Sequence, residues 1–167
     1  MSRFIVLFDA SPINAPTSWM RQAAAQADLH LVLQTDIARV MSQDPEAREA
    51  LLKLNSPGPD PRMGPYYQAA LDTLAAGHTR LALHSVTWTA YGIQPAALIY
   101  AFDQMQNERA RALKMGMQDA DYDVFVQRAQ DTVRAFFQGV PADRLLEVSG
   151  TEAQKTARAV AFIRGRK

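Results

Sequence analysis

Hydroxyl and amide side chains follow the first apolar run of the chain, which ends at Phe8. They lie in the loop "ASPINAPTS", residues 10–18, just before an alanine-rich helix pattern, and they are Ser11, Asn14, Thr17 and Ser18. A helix start has unpaired backbone N–H groups, and hydroxyl and amide donors beside it can hold a phosphate. These four residues are therefore candidate phosphate ligands. The same residue types are also typical of any capped strand-to-helix turn, so that interpretation stays open.

The loop has the length of a nucleotide-binding P-loop but lacks most of its residues. In the pattern G-x-x-x-x-G-K-[ST], glycines let backbone N–H groups converge on phosphate, the lysine neutralises charge, and the hydroxyl holds Mg²⁺. On residues 10–17 only the hydroxyl of Thr17 matches, and Pro16 stands in place of the lysine. Because proline also lacks a backbone N–H, we expect side chains and the helix start to hold any anion there.

Further candidates follow the other predicted strands, which cover residues 29–33, 80–84, 98–102 and 145–148. Parallel sheets bind ligands beyond the carboxyl ends of their strands, which points to loops 10–18, 34–39 and 84–95. The candidate substrate-binding residues in the second and third loops are Thr35, Asp36, Arg39, His84, Trp88 and Tyr91. For Trp88 and Tyr91 the competing interpretation is burial as loop anchors, because large aromatic side chains dominate core packing.

A helical pattern over residues 104–138, interrupted near "GMQDADYD", carries several basic side chains. This lid-like segment leaves the carboxyl end of the fourth predicted strand and carries Arg109, Arg111 and Arg128. At that position the guanidinium groups would face a ligand. The neighbouring Asp119 and Asp123 also fit a solvated helix pair linked by surface ion pairs. No histidine or carboxylate cluster has the spacing of metal ligands.

Strand and helix patterns alternate along the whole chain. The 167 residues, 48% of them hydrophobic, are enough for one core, so we predict a single domain over residues 1–167. The alternation predicts a three-layer α/β/α fold with a mainly parallel five-stranded sheet. The irregular segment 55–65, "NSPGPDPRMGP", is typical of a binding loop or flap.

Charge and cysteine content limit the class of protein. Eighteen Lys and Arg against seventeen Asp and Glu leave a net charge of +1, so no overall field favours nucleic acid or a membrane. The absence of cysteine excludes disulfides and thiolate chemistry. No signal-peptide pattern or run of membrane-spanning length is present. We therefore expect a cytoplasmic protein with a small-molecule partner.

Several segments carry a family resemblance: "LQTDIARVM", "LAAGHTRLALHS", and the region from "ALIYAFDQM" to "LLEVSGT". In their order they resemble the nucleoside-monophosphate kinase branch of the P-loop kinases. The resemblance implies that family's fold, a nucleotide or small phosphorylated substrate, and ATP with Mg²⁺. It implies a magnesium role for Thr17, acceptor binding by Thr35, Asp36 and Arg39, and catalytic lid roles for Arg109, Arg111 and Arg128. Because residues 10–17 lack the glycines and the lysine of the family's P-loop, the resemblance implies a diverged kinase or an inactive one that serves as an interaction domain.

A second segment, "SVTWTAYGIQPAALIYAFDQM", is similar to part of the flavodoxin-like quinone reductases. That resemblance implies FMN, with Trp88, Tyr91 and Gly92 beside the flavin ring and loop 10–18 at its phosphate. The two resemblances differ at residues 98–102. The kinase resemblance requires a central strand there, whereas the reductase resemblance requires the beginning of a helix.

Overall fold

The structure, a computed structural model, describes residues 4–9, 17–54, 60–78, 80–85, 87–103, 105 and 108–166. Its strands are β1 (Phe4–Asp9), β2 (His30–Leu33), β3 (Leu81–His84), β4 (Ala97–Ala101) and β5 (Leu145–Glu147). Its helices are α1 (Ser18–Gln26), α2 (Gln34–Gln43), α3 (Pro45–Leu52), α4 (Gly64–Leu74), α5 (Arg109–Lys114), α6 (Asp119–Phe136) and α7 (Glu152–Arg164). Short 3₁₀ segments cover Pro61–Met63, Thr87–Tyr91 and Ala142–Arg144.

The five strands form one parallel sheet in the order β2-β3-β1-β4-β5. The continuous apolar run of β1 places it at the centre, with Ile5 opposite Ala82 on one side and Ala97 on the other. This confirms the predicted α/β class. The flavodoxin-type order is 2-1-3-4-5, and residues 97–101 form a buried strand, so the flavodoxin-like resemblance was wrong for the fold.

Helices cover both faces of the sheet and define two apolar layers. On one face α1 and α7 pack together, burying Trp19, Ala23 and Ile163 against Leu7 of β1. On the other face of the sheet, α2 and α4 bury apolar side chains that include Ile37, Tyr67 and Leu71. The buried residues of α1 and α7 recur at helical spacing, which explains why these segments fold as amphipathic helices.

Several helix starts have local causes. Asp36 is the third residue of α2, and its carboxylate accepts the N–H of Leu33. Asp44 caps α3, with Pro45 in the first helical position. Residues 55–59 of the irregular segment lie outside the described residues, and α4 begins at Gly64.

From residue 108 onward, where the description is continuous, the lid-like segment contains the helices α5 and α6, separated by residues 115–118. Gly116 lies between them with a φ of +93°, a conformation that favours glycine. The predicted interruption near "GMQDADYD" is therefore confirmed. Within the part of the chain that the structure describes, no helix is both long and apolar enough to cross a membrane.

Gly150, between β5 and α7, should tolerate substitution poorly. Its φ is +101°, and an added Cβ would lie 2.5 Å from Oε1 of Gln154, the atom that accepts the N–H of Thr151. We expect Gly150→Ala to lower the free energy of unfolding by about 1–2 kcal/mol, measured by urea denaturation. In the control variant Gly139→Ala, the nearest atom to the added Cβ is 3.9 Å away, so little change is expected. Equal effects of the two substitutions would contradict this account.

Candidate functional site

Asp9 ends the central strand β1 as a buried carboxylate with one unpaired oxygen. Its Oδ2 accepts a hydrogen bond from Nε1 of Trp19 at 2.8 Å and another from Oγ1 of Thr17 at 3.4 Å. Only 3% of Asp9 is exposed, and among the described residues its Oδ1 has no hydrogen-bond partner. Burial raises the pKa of Asp9, although the hydrogen bond from Trp19 opposes that rise. Buried polar atoms are usually paired, so this oxygen marks a candidate site.

Lys155 of α7 brings a buried positive charge to the same place. The residue is 3% exposed, and its Nζ lies 3.0 Å from Oε1 of Glu152 and 3.5 Å from Oδ2 of Asp103. Its charge also acts on Asp9 and opposes the rise in pKa that burial causes in that carboxyl. We call Asp9, Asp103, Glu152 and Lys155 the Asp9–Lys155 cluster. It combines three carboxylates with one ammonium group.

The cluster lies where the topology of the sheet favours a ligand site. Asp9 ends β1, and Asp103 follows the neighbouring strand β4 by two residues. After β1 the chain runs toward β2 at one edge of the sheet. After β4 it runs toward β5 at the other edge. Ligands of open α/β sheets bind outside the carboxyl ends of strands at such a switch point.

Glu152 also holds the start of α1. Its Oε2 accepts the backbone N–H of Trp19 at 2.7 Å and the hydroxyl of Ser18 at 2.5 Å. Burial alone would raise the pKa of Glu152, but hydrogen bonds from Ser18 and Lys155 outweigh it and keep the pKa below its usual value. A carboxylate of the chain itself therefore takes the donors that a helix start offers to an anion.

The chain is similar to dephospho-CoA kinase from Campylobacter jejuni, with a TM-score of 0.52, 8% sequence identity, and coverage of 98% of this chain and 96% of that one. The parallel five-stranded sheet with helices on both faces is a P-loop-kinase-like α/β fold. At this identity the similarity concerns the fold alone. No protein-family model and no curated protein matches the sequence.

Two of the predicted phosphate ligands can be placed in the kinase fold, at the start of α1. Thr17 precedes the helix in an extended conformation, and its hydroxyl contacts Asp9 instead of capping the helix. Ser18 is exposed and bound to Glu152. The other two candidates, Ser11 and Asn14, lie outside the described residues. The structure thus brings Thr17 and Ser18 to the Asp9–Lys155 cluster.

Thr35, Asp36 and Arg39 lie on the first turns of α2, beyond the end of β2. Arg39 and Asp36 form an ion pair with Nη2 and Oδ1 3.1 Å apart, and Thr35 is exposed. In the strand order, β3 separates β2 from β1. These residues therefore share the ligand edge of the sheet with the cluster but lie at a different strand.

His84 and Tyr91 occupy different environments near the same edge. His84 ends β3 and is buried, with its ring 6.3 Å from that of Phe8. Burial and the charge of Arg21 lower the pKa of His84, which favours the neutral imidazole at neutral pH. The ring of Tyr91 packs against Tyr67 with centroids 4.7 Å apart.

Trp88 is part of the core. It is 1% exposed, its Nε1 donates to the carbonyl of Ser85 at 2.8 Å, and its ring lies parallel to that of Phe137. The structure therefore places Trp88 in the core, as the loop-anchor interpretation expected.

The lid arginines differ in their partners. Arg109 of α5 binds Asp119 at 2.9 Å and Asp123 at 2.8 Å, so it links the two lid helices as the ion-pair interpretation expected. Arg128 is exposed. Arg111, also exposed, lines a cavity of about 340 Å³ between α5 and α6, whose other walls are mainly apolar and include Tyr122 and Phe125.

The buried members of the cluster were missed from the sequence. Asp9 carried one signal, a charged residue directly after the run "FIVLF". Lys155 carried another, because it lies on the same helical stripe as the buried Ala159 and Ile163. Across the described residues, no three His, Cys, Asp or Glu side chains are grouped closely enough to hold a metal ion by themselves.

The raised pKa of Asp9 predicts how stability changes with pH. Since burial raises the folded-state pKa of Asp9 above its ordinary value, the stability associated with its protonated form is lost as pH rises through the folded-state pKa. Asp9→Asn cannot ionise, so we expect its stability relative to wild type to increase from about pH 4 to pH 7. Urea denaturation at a series of pH values measures the difference. A difference that is independent of pH would contradict the prediction.

Proposed function

We propose that this protein is a diverged member of the P-loop kinase group that binds a nucleotide or another small phosphorylated molecule beside β1 and β4. The single observation that supports the proposal best is the Asp9–Lys155 cluster at the topological switch point. Buried ion pairs add little stability compared with apolar packing, so their presence favours a role in binding over one in folding. In this proposal Lys155 supplies the cation that the loop at 10–18 lacks.

The ligand's phosphate would meet three kinds of donor. Lys155 provides an ammonium group, Ser18 a hydroxyl, and the start of α1 its backbone N–H groups. Ser11 and Asn14 of the loop are proposed as further phosphate ligands. Thr35, Asp36 and Arg39 would bind the acceptor, and Arg109, Arg111 and Arg128 would supply positive charge during phosphate transfer.

Magnesium fits the donor atoms beside Asp9. The unpaired Oδ1 of Asp9 and the hydroxyl of Thr17 are oxygen donors, and Mg²⁺ is usually held by one or two carboxylates together with substrate phosphates and water. Asp9 and Thr17 would hold the ion if the ligand is ATP. When bound, Mg²⁺ would offset the negative charge of the phosphates.

Thermal denaturation with ADP, AMP, inorganic phosphate or ATP with Mg²⁺ tests the proposal. A binding ligand should raise the Tm of the wild type. At a hundredfold excess over its Kd, it adds about 2.7 kcal/mol to the free energy of unfolding. The shift should disappear in Lys155→Met and remain in Lys53→Met, since Lys53 is exposed and paired with Glu49 on α3. If no phosphorylated ligand shifts the wild type, the proposal is wrong.

A second candidate is a kinase-fold protein without catalysis that serves as an interaction domain. Two observations favour it: Glu152 already takes the donors at the start of α1, and Asp119 and Asp123 neutralise Arg109. Incubation with radiolabelled ATP, Mg²⁺ and a panel of nucleoside monophosphates separates the two candidates. Transfer of label to any of them would exclude the inactive protein.

A further inference from the structure

We infer that Glu152 is an internal competitor for the anion site, so that a phosphorylated ligand binds at the start of α1 only when this carboxylate moves away. The inference rests on the proposed function and adds to it a residue that controls access. It makes Glu152 a gating residue and Lys155 the group that changes partner.

One carboxylate occupies three donors at this place. Oε2 of Glu152 takes the N–H of Trp19 and the hydroxyl of Ser18, while Oε1 lies 3.0 Å from Nζ of Lys155. A phosphoryl group at a helix start would use the same kinds of donor. Two anions on these donors would repel each other, so either Glu152 or the ligand holds them.

Glu152 can leave while Lys155 stays. Glu152 is only partly buried in the first turn of α7, and its backbone is fixed by the neighbouring cap, in which Thr151 and Gln154 bond to each other. Rotation of its side chain therefore moves the carboxylate toward solvent without moving the helix. Lys155 is buried and also paired with Asp103 at 3.5 Å, which keeps its ammonium group in place for a new partner.

A second observation points to a ligand at this place. Asp9 is 97% buried, one of its oxygens bonds the residues that begin α1, and the other has no partner among the described residues. An unpaired buried carboxylate oxygen calls for a proton or a cation. A cation that arrives with a phosphorylated ligand would pair with this oxygen. When Glu152 occupies the donors at the start of α1, the oxygen has no such partner.

The test compares wild type with Glu152→Ala, Glu152→Gln and a control, by calorimetric titration with ADP and with pyrophosphate. The control is Glu46→Ala, because Glu46 is also an acidic residue in a first helical turn. It lies on α3 and is exposed. We expect Glu152→Ala to bind about tenfold more tightly than wild type, a gain of about 1.4 kcal/mol. Glu46→Ala should bind like wild type. Circular dichroism checks that each variant is folded. If Glu152→Ala does not fold, Glu152→Gln is used for the test, because it keeps an acceptor for the hydroxyl of Ser18 and the N–H of Trp19.

The outcomes separate the inference from the proposed function. Tighter binding by the Glu152 variants supports both. Equal binding by wild type and the Glu152 variants overturns the inference and leaves the proposed function standing. Binding by the variants alone supports the competitor role and shows that the wild type is closed to these ligands, which overturns the proposed function. No binding by any protein overturns both.

Discussion

Trp19→Phe is expected to lower the free energy of unfolding by about 2–3 kcal/mol, one of the two largest effects predicted here. Trp19 is fully buried, and its Nε1 donates to Oδ2 of Asp9 at 2.8 Å. Phenylalanine fills most of the space but cannot donate, so the buried carboxylate keeps only the longer contact from Thr17 at 3.4 Å. Urea denaturation monitored by circular dichroism measures the loss.

Trp88→Phe is a matched control for this prediction. Trp88 is as deeply buried, and its Nε1 also donates at 2.8 Å, but to the neutral backbone carbonyl of Ser85. Hydrogen bonds to charged groups contribute about 1.5–3 kcal/mol and those between neutral groups about 0.5–1.5 kcal/mol, so Trp88→Phe should cost less. Equal losses in the two variants would show that packing alone determines the effect.

Lys155→Met is expected to cost about 2–3 kcal/mol, because it removes a buried ammonium group from two carboxylates that are only partly exposed. The ammonium group lies 3.0 Å from Glu152 and 3.5 Å from Asp103, and its charge also stabilises ionised Asp9. Without it, Glu152 and Asp103 would lose their shared positive partner, and Asp9 would lose a nearby positive charge. The predicted loss is measured at pH 7 by urea denaturation.

Two further variants identify the cause of that loss. Adding Glu152→Gln to Lys155→Met removes one of the unpaired negative charges, so the double variant should regain part of the stability. Lys53→Met removes an exposed lysine whose side chain is 71% exposed and paired with Glu49, and it should change stability by less than about 1 kcal/mol. If Lys155→Met is no more harmful than Lys53→Met, the cluster does not depend on its ammonium group.

The order and type of the secondary structure could be predicted from local sequence. Continuous apolar runs such as residues 4–8 are typical of strands buried on both faces, and the helical spacing of apolar residues in α1 and α7 indicates which sides face the sheet. Asp44 and Thr151 mark helix starts through contacts with residues two or three positions away. These features are local, so the pattern of residue types contains them.

Local patterns did not distinguish between two folds where both families share the same pattern of residue types. The segment 85–105 resembled both a kinase strand and a reductase loop and helix, and its pattern suits either. The sheet order decides between them, because β4 pairs with β1 and β5 in an arrangement that the flavodoxin type does not have. Pairing between strands depends on contacts across the whole chain, which residue types in one segment do not contain.

For the candidate site, the local residue pattern predicted that the hydroxyl groups of Thr17 and Ser18 lie at the start of α1, after the central strand. The partners of those groups depend on packing between distant segments. Trp19 and Glu152 are 133 positions apart, and they meet because α1 and α7 pack on the same face of the sheet. The same packing buries Lys155 beside Asp103 and brings its charge to Asp9. Burial and charge pairing between distant residues therefore define this site, and neither can be read from one short stretch of sequence.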